Sequence, residues 1–353
     1  MSELRLKEQD FEGYVGADKC VLINLANTKG ALVQLSNYGA RIASFIVPDK
    51  NGLLHDIVIG PASLEGYKNA SERYFNAVVG RYAGRIAHGK FKLGGRECSL
   101  SVNNPPNHLH GGFKGLNEQV WKICDISSNS AEMSCFLPAG LDGYPGDFSI
   151  KVRYTLTDEN ALLFEVHAQC SEESVLNITN HAFFNLGDHS KDVLDHKLFI
   201  NAAHYLPVDK NLIPSGDTAE VKNTPFDFTS FKKIGAELNA DDAQLKYCGG
   251  YDHSFVCDDY NGRNLFLGAA AINCASGLKL EVLTTQPSVH FYGCNFLSGK
   301  DSGKGGAVYK RFGAFCLETQ HFPDSPNHAD FPSTAIKPGE DFTALTVYRV
   351  SDI

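Results

Sequence analysis

Apolar and polar positions alternate with a period of two along most of this chain. The stretches ALVQLSNYG (31–39), FSIKVRYTL (148–156), ALLFEVHAQC (161–170), LKLEVLTTQPSVHFYG (278–293) and FTALTVYRV (342–350) all carry the pattern. A period of two puts successive side chains on opposite faces of an extended backbone, so each stretch predicts a strand with one apolar face. Turn-forming clusters punctuate them: PDKNG, NNPPN, LDGYPGD, TDEN, CASG and KPGED. In such clusters glycine supplies positive φ, proline presets φ, and Asn or Asp bonds its own backbone. Strands set off by turn signals about every ten residues predict an all-β fold, a large antiparallel sandwich or barrel. Helical patterning is confined to two short pieces, ASLEGYKNA (62–70) and FKKIGAEL (231–238). No repeat, low-complexity tract or linker interrupts the pattern, which predicts one domain over residues 1–353.

Composition narrows the function. The chain has 353 residues, 43% of them hydrophobic, enough for a sizeable core. A net charge of −9, with Lys and Arg scattered, argues against nucleic acid as a partner. No apolar run is long enough for a membrane span or a signal peptide, so no membrane association is expected. The ten cysteines include no CxxC pair, which argues against zinc ribbons and thioredoxin-like chemistry. Buried, reduced thiols in a cytoplasmic protein are the expectation.

The chemistry rests on polar residues set in apolar surroundings. In NITNHAFFNLG (177–187), strand alternation places Asn177, Thr179, His181, Phe183 and Asn185 on one face. The opposite face is mostly apolar and is expected to pack on the core. In AFCLETQ (314–320), Glu318 and Gln320 share a face, and the neighbours of Glu318 are expected to desolvate it. Desolvation raises a carboxyl pKa and makes a better general base. LTTQPSVHFYG puts Thr284, Gln286, Ser288 and His290 on one side. GGYDHSF offers Asp252 after a glycine pair, GRYAGRI offers Arg81 and Arg85, and NHLHGG offers His108 and His110. Of that pair His110 is the stronger candidate, because the following glycines let a ligand approach. An HxH pair on a strand would suit a metal, but the flanking prolines and glycines favour a loop. Each group alone reads as a satisfied structural residue. Together they suit a neutral, hydroxyl-rich substrate and acid–base chemistry, with no metal or cofactor expected.

In their order along the chain, GRYAGRIAHGKF, NHLHGG, LDGYPGD, NITNHAFFNLG, YLPVD, YDHSF, TTQPSVHFY and FCLETQHFPD resemble the galactose mutarotase (aldose 1-epimerase) family. The resemblance spans nearly the whole chain and implies a single large β-sandwich with an open sugar cleft. It implies Glu318 as catalytic base, His181 as acid and His110 as an assisting group near the ring oxygen. Arg85, Asp252 and Gln286 would bind sugar hydroxyls. The implied substrate is a free monosaccharide such as galactose or glucose, handled by a monomer or homodimer without metal or cofactor. Gly84 stands where the family commonly has Asn, which bears on substrate preference. Three alternatives stand beside this: a glycoside hydrolase using Glu318 and Asp252, a lectin or sugar sensor on the same scaffold that binds sugar without turnover, and a mutarotase-like domain acting on phosphorylated sugars.

Overall fold

The computed structural model describes residues 4–353. Its largest element is a nine-stranded antiparallel sheet. The stretches expected as strands build its centre: Phe148–Leu156 pairs with Ala161–Cys170, which pairs with Phe342–Asp352, which pairs with Leu278–Thr284. On Phe148–Leu156 the even-numbered residues are buried while the odd ones are partly or fully exposed. One face therefore packs inward and the other meets solvent, as the period of two requires.

A four-stranded sheet (Leu22–Ala26, Leu32–Ser36, Arg41–Pro48, Leu54–Asp56) and a five-stranded sheet complete the larger layers. The five-stranded sheet runs Ala219–Glu220, His204–Tyr205, Asp252–Val256, Ser288–Tyr292, Cys316–Gln320. One buried apolar cluster joins all three sheets, with Phe45, Trp121, Phe164, Phe255, Phe291 and Leu317 among its members. Each such side chain removed from water contributes about 1.5–3 kcal/mol.

Two expectations need correction. The stretch 278–293 is two strands rather than one. Leu278–Thr284 lies in the nine-stranded sheet and Ser288–Tyr292 in the five-stranded sheet. Pro287 has no N–H to give a ladder, and the chain changes sheets across Thr285–Pro287. The helix expected at 231–238 does not form: Lys232–Lys233 instead pairs along the sheet edge with Lys197 and Leu198. A short helix forms at Ala243–Cys248 instead. The Asp242 carboxylate accepts from the backbone N–H groups of Gln244 and Leu245 to cap it, and Gly249 ends it at φ +63°. The other expected helix is present as Leu64–Asn69, capped by Ser63.

Candidate active site

The strands Asp252–Val256, Ser288–Tyr292 and Cys316–Gln320 of the five-stranded sheet are largely buried on both faces. The odd-numbered residues Phe255, Val289, Phe291 and Leu317 join the core. The even-numbered residues Asp252, Ser254, His290, Tyr292, Glu318 and Gln320 line a cavity of about 450 Å³ on the other face. That volume lies within the roughly 300–1,000 Å³ of small-molecule sites. The strand register sets three of these side chains in one row, with His290 directly opposite Ser254 on one side and Glu318 on the other.

His181 reaches the cavity from outside this sheet. The Asn177–Gly187 stretch is a ladder strand only at Thr179–Asn180, paired with Val78–Val79. Backbone bonds extend the hold: His181 N–H donates to Ala77 O at 2.8 Å, and Asn76 N–H donates to His181 O at 3.0 Å. The expected alternation survives, with Ile178, Ala182, Phe184 and Leu186 in the core. Its other face is not a sugar-binding row, however. The Asn177 amide clamps Ala83 O and His321 O, and the Asn185 amide clamps Gly313 O. Only the His181 imidazole enters the cavity from this segment. It stacks on Phe183, with ring centres 4.9 Å apart, and on Tyr74 at 6.1 Å.

His181 Nε2 lies 3.5 Å from Glu318 Oε1. Glu318 is 2% exposed and His181 4%. His181 Nδ1 and Glu318 Oε2 have no protein hydrogen-bond partner, nor has either end of the Gln320 amide. Buried polar groups are normally paired, so four unpaired atoms at one cavity floor mark a place built for something other than folding.

The two histidines of NHLHGG separate. His108 Nδ1 bonds Ser101 O and its Nε2 bonds Tyr144 OH, both at 2.7 Å, so it is a structural residue. His110 sits in the left-handed region at φ +51° and turns into the cavity. Its Nδ1 accepts from the Gly84 N–H at 3.1 Å, and the backbone N–H of His110 donates to Gly84 O. An imidazole accepting at Nδ1 carries its proton on Nε2. Burial, helped by the nearby His181 and Arg85, pushes its pKa well below the ordinary 6.5. His110 is therefore a neutral ring with one N–H to donate. Gly84 makes this possible: its φ is +77°, and a Cβ there would come within 3.0 Å of Pro323.

Arg81 and Arg85 also part ways. Arg81 is buried and donates to Pro145 O and Gly146 O. Arg85 enters the cavity, donates through Nε to Asn104 Oδ1 at 3.2 Å, and holds Nη1 3.8 Å from Asp252 Oδ2. The Asp252 carboxylate bonds His290 Nε2 at 2.7 Å. Burial alone would raise its pKa; the bond to His290 and the charges of His290 and Arg85 overcome this and lower it to about 2.

Gln286 is not brought here. It lies in the crossing between sheets and lines a separate cavity of about 440 Å³ with Arg263, His321 and Thr334. Extending one strand's alternation through Pro287 gave it a false place beside His290. Sequence reading also passed over Tyr74, Tyr292, Asn104 and Glu72, all lining the catalytic-type cavity. Burial raises the Glu72 carboxyl, and the nearby His181 opposes this. Only the aromatic richness of ERYF and HFY hinted at the two tyrosines. The ligand atoms of His110, His181 and Glu318 all lie within 4.8 Å of one another, a spacing that a cation would also accept. Among the described residues no helix is long and apolar enough to cross a membrane.

Known proteins resemble this chain in sequence and in fold. The family model described as aldose 1-epimerase matches residues 21–349. A galactose mutarotase of Rattus norvegicus is 41% identical over 320 residues, covering 90% of this chain and 91% of that protein. An aldose 1-epimerase of Escherichia coli (strain K12) is 36% identical over 330 residues, covering 93% and 94%. The crystal structure of an aldose epimerase homologue from C. elegans superposes with a TM-score of 0.85 at 32% identity, covering 94% of this chain and 99% of that one.

Proposed function

The chain belongs to the aldose 1-epimerase family, and we propose that its cavity interconverts the anomers of a free aldohexose with Glu318 as base and His181 as acid. The activity is that of an isomerase, a mutarotase, in common with its relatives. The assignment of roles rests on one observation: Glu318 Oε1 and His181 Nε2 face each other at 3.5 Å on the cavity floor, each side chain otherwise unpaired.

Anomers interchange through the open-chain aldehyde. Glu318 takes the proton of the anomeric hydroxyl. Its electron pair forms the carbonyl as the bond from the anomeric carbon to the ring oxygen breaks. The ring oxygen takes a proton from His181. Rotation about the adjacent carbon–carbon bond presents the other face of the aldehyde. Closure runs the same transfers backwards and restores both groups. Each acid–base partner of this kind contributes about a hundred- to ten-thousandfold.

The rest of the cavity orients the sugar. His110 donates one neutral N–H, which supports an oxygen without competing for the acid's proton. Arg85 and Asp252 offer a donor and an acceptor to the ring hydroxyls. Tyr74, Phe183 and Tyr292 surround His181, which keeps water and its dielectric away from the proton path. Gln286 lines a different cavity and is left out of this reading. Galactose is the first substrate to test, because the mammalian relatives are galactose mutarotases. Polarimetry on freshly dissolved α-galactose and α-glucose is the test. Both rotations should relax faster with enzyme, and galactose at lower concentration. Binding of galactose without acceleration would leave a lectin, and release of sugar from aryl galactosides would leave a hydrolase.

A further inference from the structure

His290 stands in the middle of the cavity wall, yet both of its ring nitrogens are engaged by the protein. Nε2 lies 2.7 Å from Asp252 Oδ1 and Nδ1 lies 2.8 Å from Ser254 Oγ. A ring held at both nitrogens has no atom left for a sugar hydroxyl. It does have a strong hold on the carboxylate beside it. We propose that His290 is a positioning residue of the sugar site, which grips Asp252 by Oδ1 so that Oδ2 is presented to the substrate. This rests on the reading of Asp252 as a sugar ligand.

The alternative conformation explains why such a grip is needed. Among the described residues, His290 is the one side chain within hydrogen-bond distance of the Asp252 carboxylate. Arg85 waits 3.8 Å from Oδ2, just beyond a hydrogen bond. Freed from His290, the carboxylate would turn to meet the guanidinium in a two-pronged pair. Two sugar-binding groups would then satisfy each other. Ser254 completes the device by fixing the imidazole plane from the opposite nitrogen.

Charge adds a second effect. The groups facing the imidazole are Asp252 and Ser254 on one neighbouring strand, Glu318 on the other, and Arg85, His110 and His181 across the cavity. Burial alone would lower the His290 pKa; the bond and charge of Asp252, with Glu318 behind it, raise it above 6.5. Below that pKa the grip on Asp252 is charge-assisted. Above it the ring keeps Nε2–H on Asp252 and accepts the Ser254 hydroxyl at Nδ1, and the grip weakens. Sugar binding should therefore loosen as pH climbs through the His290 titration.

The test is polarimetric kcat and KM for galactose from about pH 5.5 to about 9, in the natural enzyme and in His290→Ala, His290→Gln and Asp252→Ala. His290→Ala should raise KM about ten- to hundredfold, far more than it lowers kcat. In His290→Gln an uncharged amide N–H can still reach Asp252, so KM at neutral pH should return to within about fivefold of the natural value. Its rise with pH should disappear. A KM within about threefold in His290→Ala, or an unchanged pH dependence in His290→Gln, would overturn the inference. Asp252→Ala separates the two levels of the argument. A normal KM there removes the sugar-ligand reading itself. A raised KM there with a normal KM in His290→Ala removes only the positioning role.

Discussion

Replacing Glu318 by Gln tests the proposed base with little disturbance of shape. Glu318 lies in a fully buried strand between the buried residues Leu317 and Thr319, and the strand pairs with Ser288–Tyr292. An amide has nearly the volume of a carboxylate, so the strand and its register should survive. What is lost is the acceptor for the anomeric proton. General-base catalysis of this kind accounts for about two to four orders of magnitude. That corresponds to roughly 2.7–5.5 kcal/mol on the barrier. The amide oxygen can still accept a hydrogen bond from the anomeric hydroxyl, so KM should change much less than kcat. Polarimetry on fresh α-galactose, with the uncatalysed rotation subtracted, gives both constants, and thermal unfolding checks that the fold is intact. A folded Glu318→Gln enzyme with kcat within about tenfold of the natural one would refute the assignment.

Two further predictions concern stability. His108, His196 and His253 are buried, and burial lowers their pKa values to about 4, about 4 and about 3. The unfolded chain binds these protons near pH 6.5, so their contribution is complete above about 6.5 and is lost as pH falls towards about 4. Each should cost about 1.4 kcal/mol per pH unit across that window. His290 and the buried carboxyls of Glu72 and Asp324, all with raised pKa values, oppose this, while the lowered pKa values of His110, His189 and His321 add to it. Urea unfolding should therefore show a lower midpoint at about pH 5 than at about pH 7, and an equal or higher one would contradict the argument. Lys304 donates to the buried Asp56 carboxylate at 2.7 Å and to Val58 O at 2.6 Å. Lys304→Ala strands that carboxylate and should cost about 3–5 kcal/mol. A loss below about 1 kcal/mol in urea titration would show that Ser44 and the N–H groups of Phe45 and Val58 suffice to hold Asp56.

Strand alternation was readable wherever one face of a strand is wet. Residues 148–156 and 161–170 coincide with the observed strands because most of their outward positions are polar. It was misleading where burial is two-sided. The 278–293 stretch kept its alternation through a change of sheet, and that alternation, together with the family resemblance, set Gln286 beside His290, whereas it lines a different cavity. The Ala243–Cys248 helix was overlooked although Asp242 and Gly249 are ordinary cap residues, because six residues carry too little periodicity. At the site, Glu318, His181, His110, Arg85 and Asp252 were identifiable from residue type, neighbours and family resemblance. The tautomer of His110 was not, because it is fixed by a backbone N–H from Gly84, a tertiary contact. Nor was the role of His290, whose two partners lie on a neighbouring strand.

The central claim is that Glu318 and His181 move protons on one sugar as a pair, and a double-mutant cycle measures this directly. Polarimetric kcat would be compared for the natural enzyme, Glu318→Gln, His181→Ala and the double variant. Groups acting as one unit give grossly non-additive losses, so the double variant should lie within about tenfold of the slower single variant. Losses that multiply, with each single variant retaining substantial turnover, would show two independent residues and contradict the account.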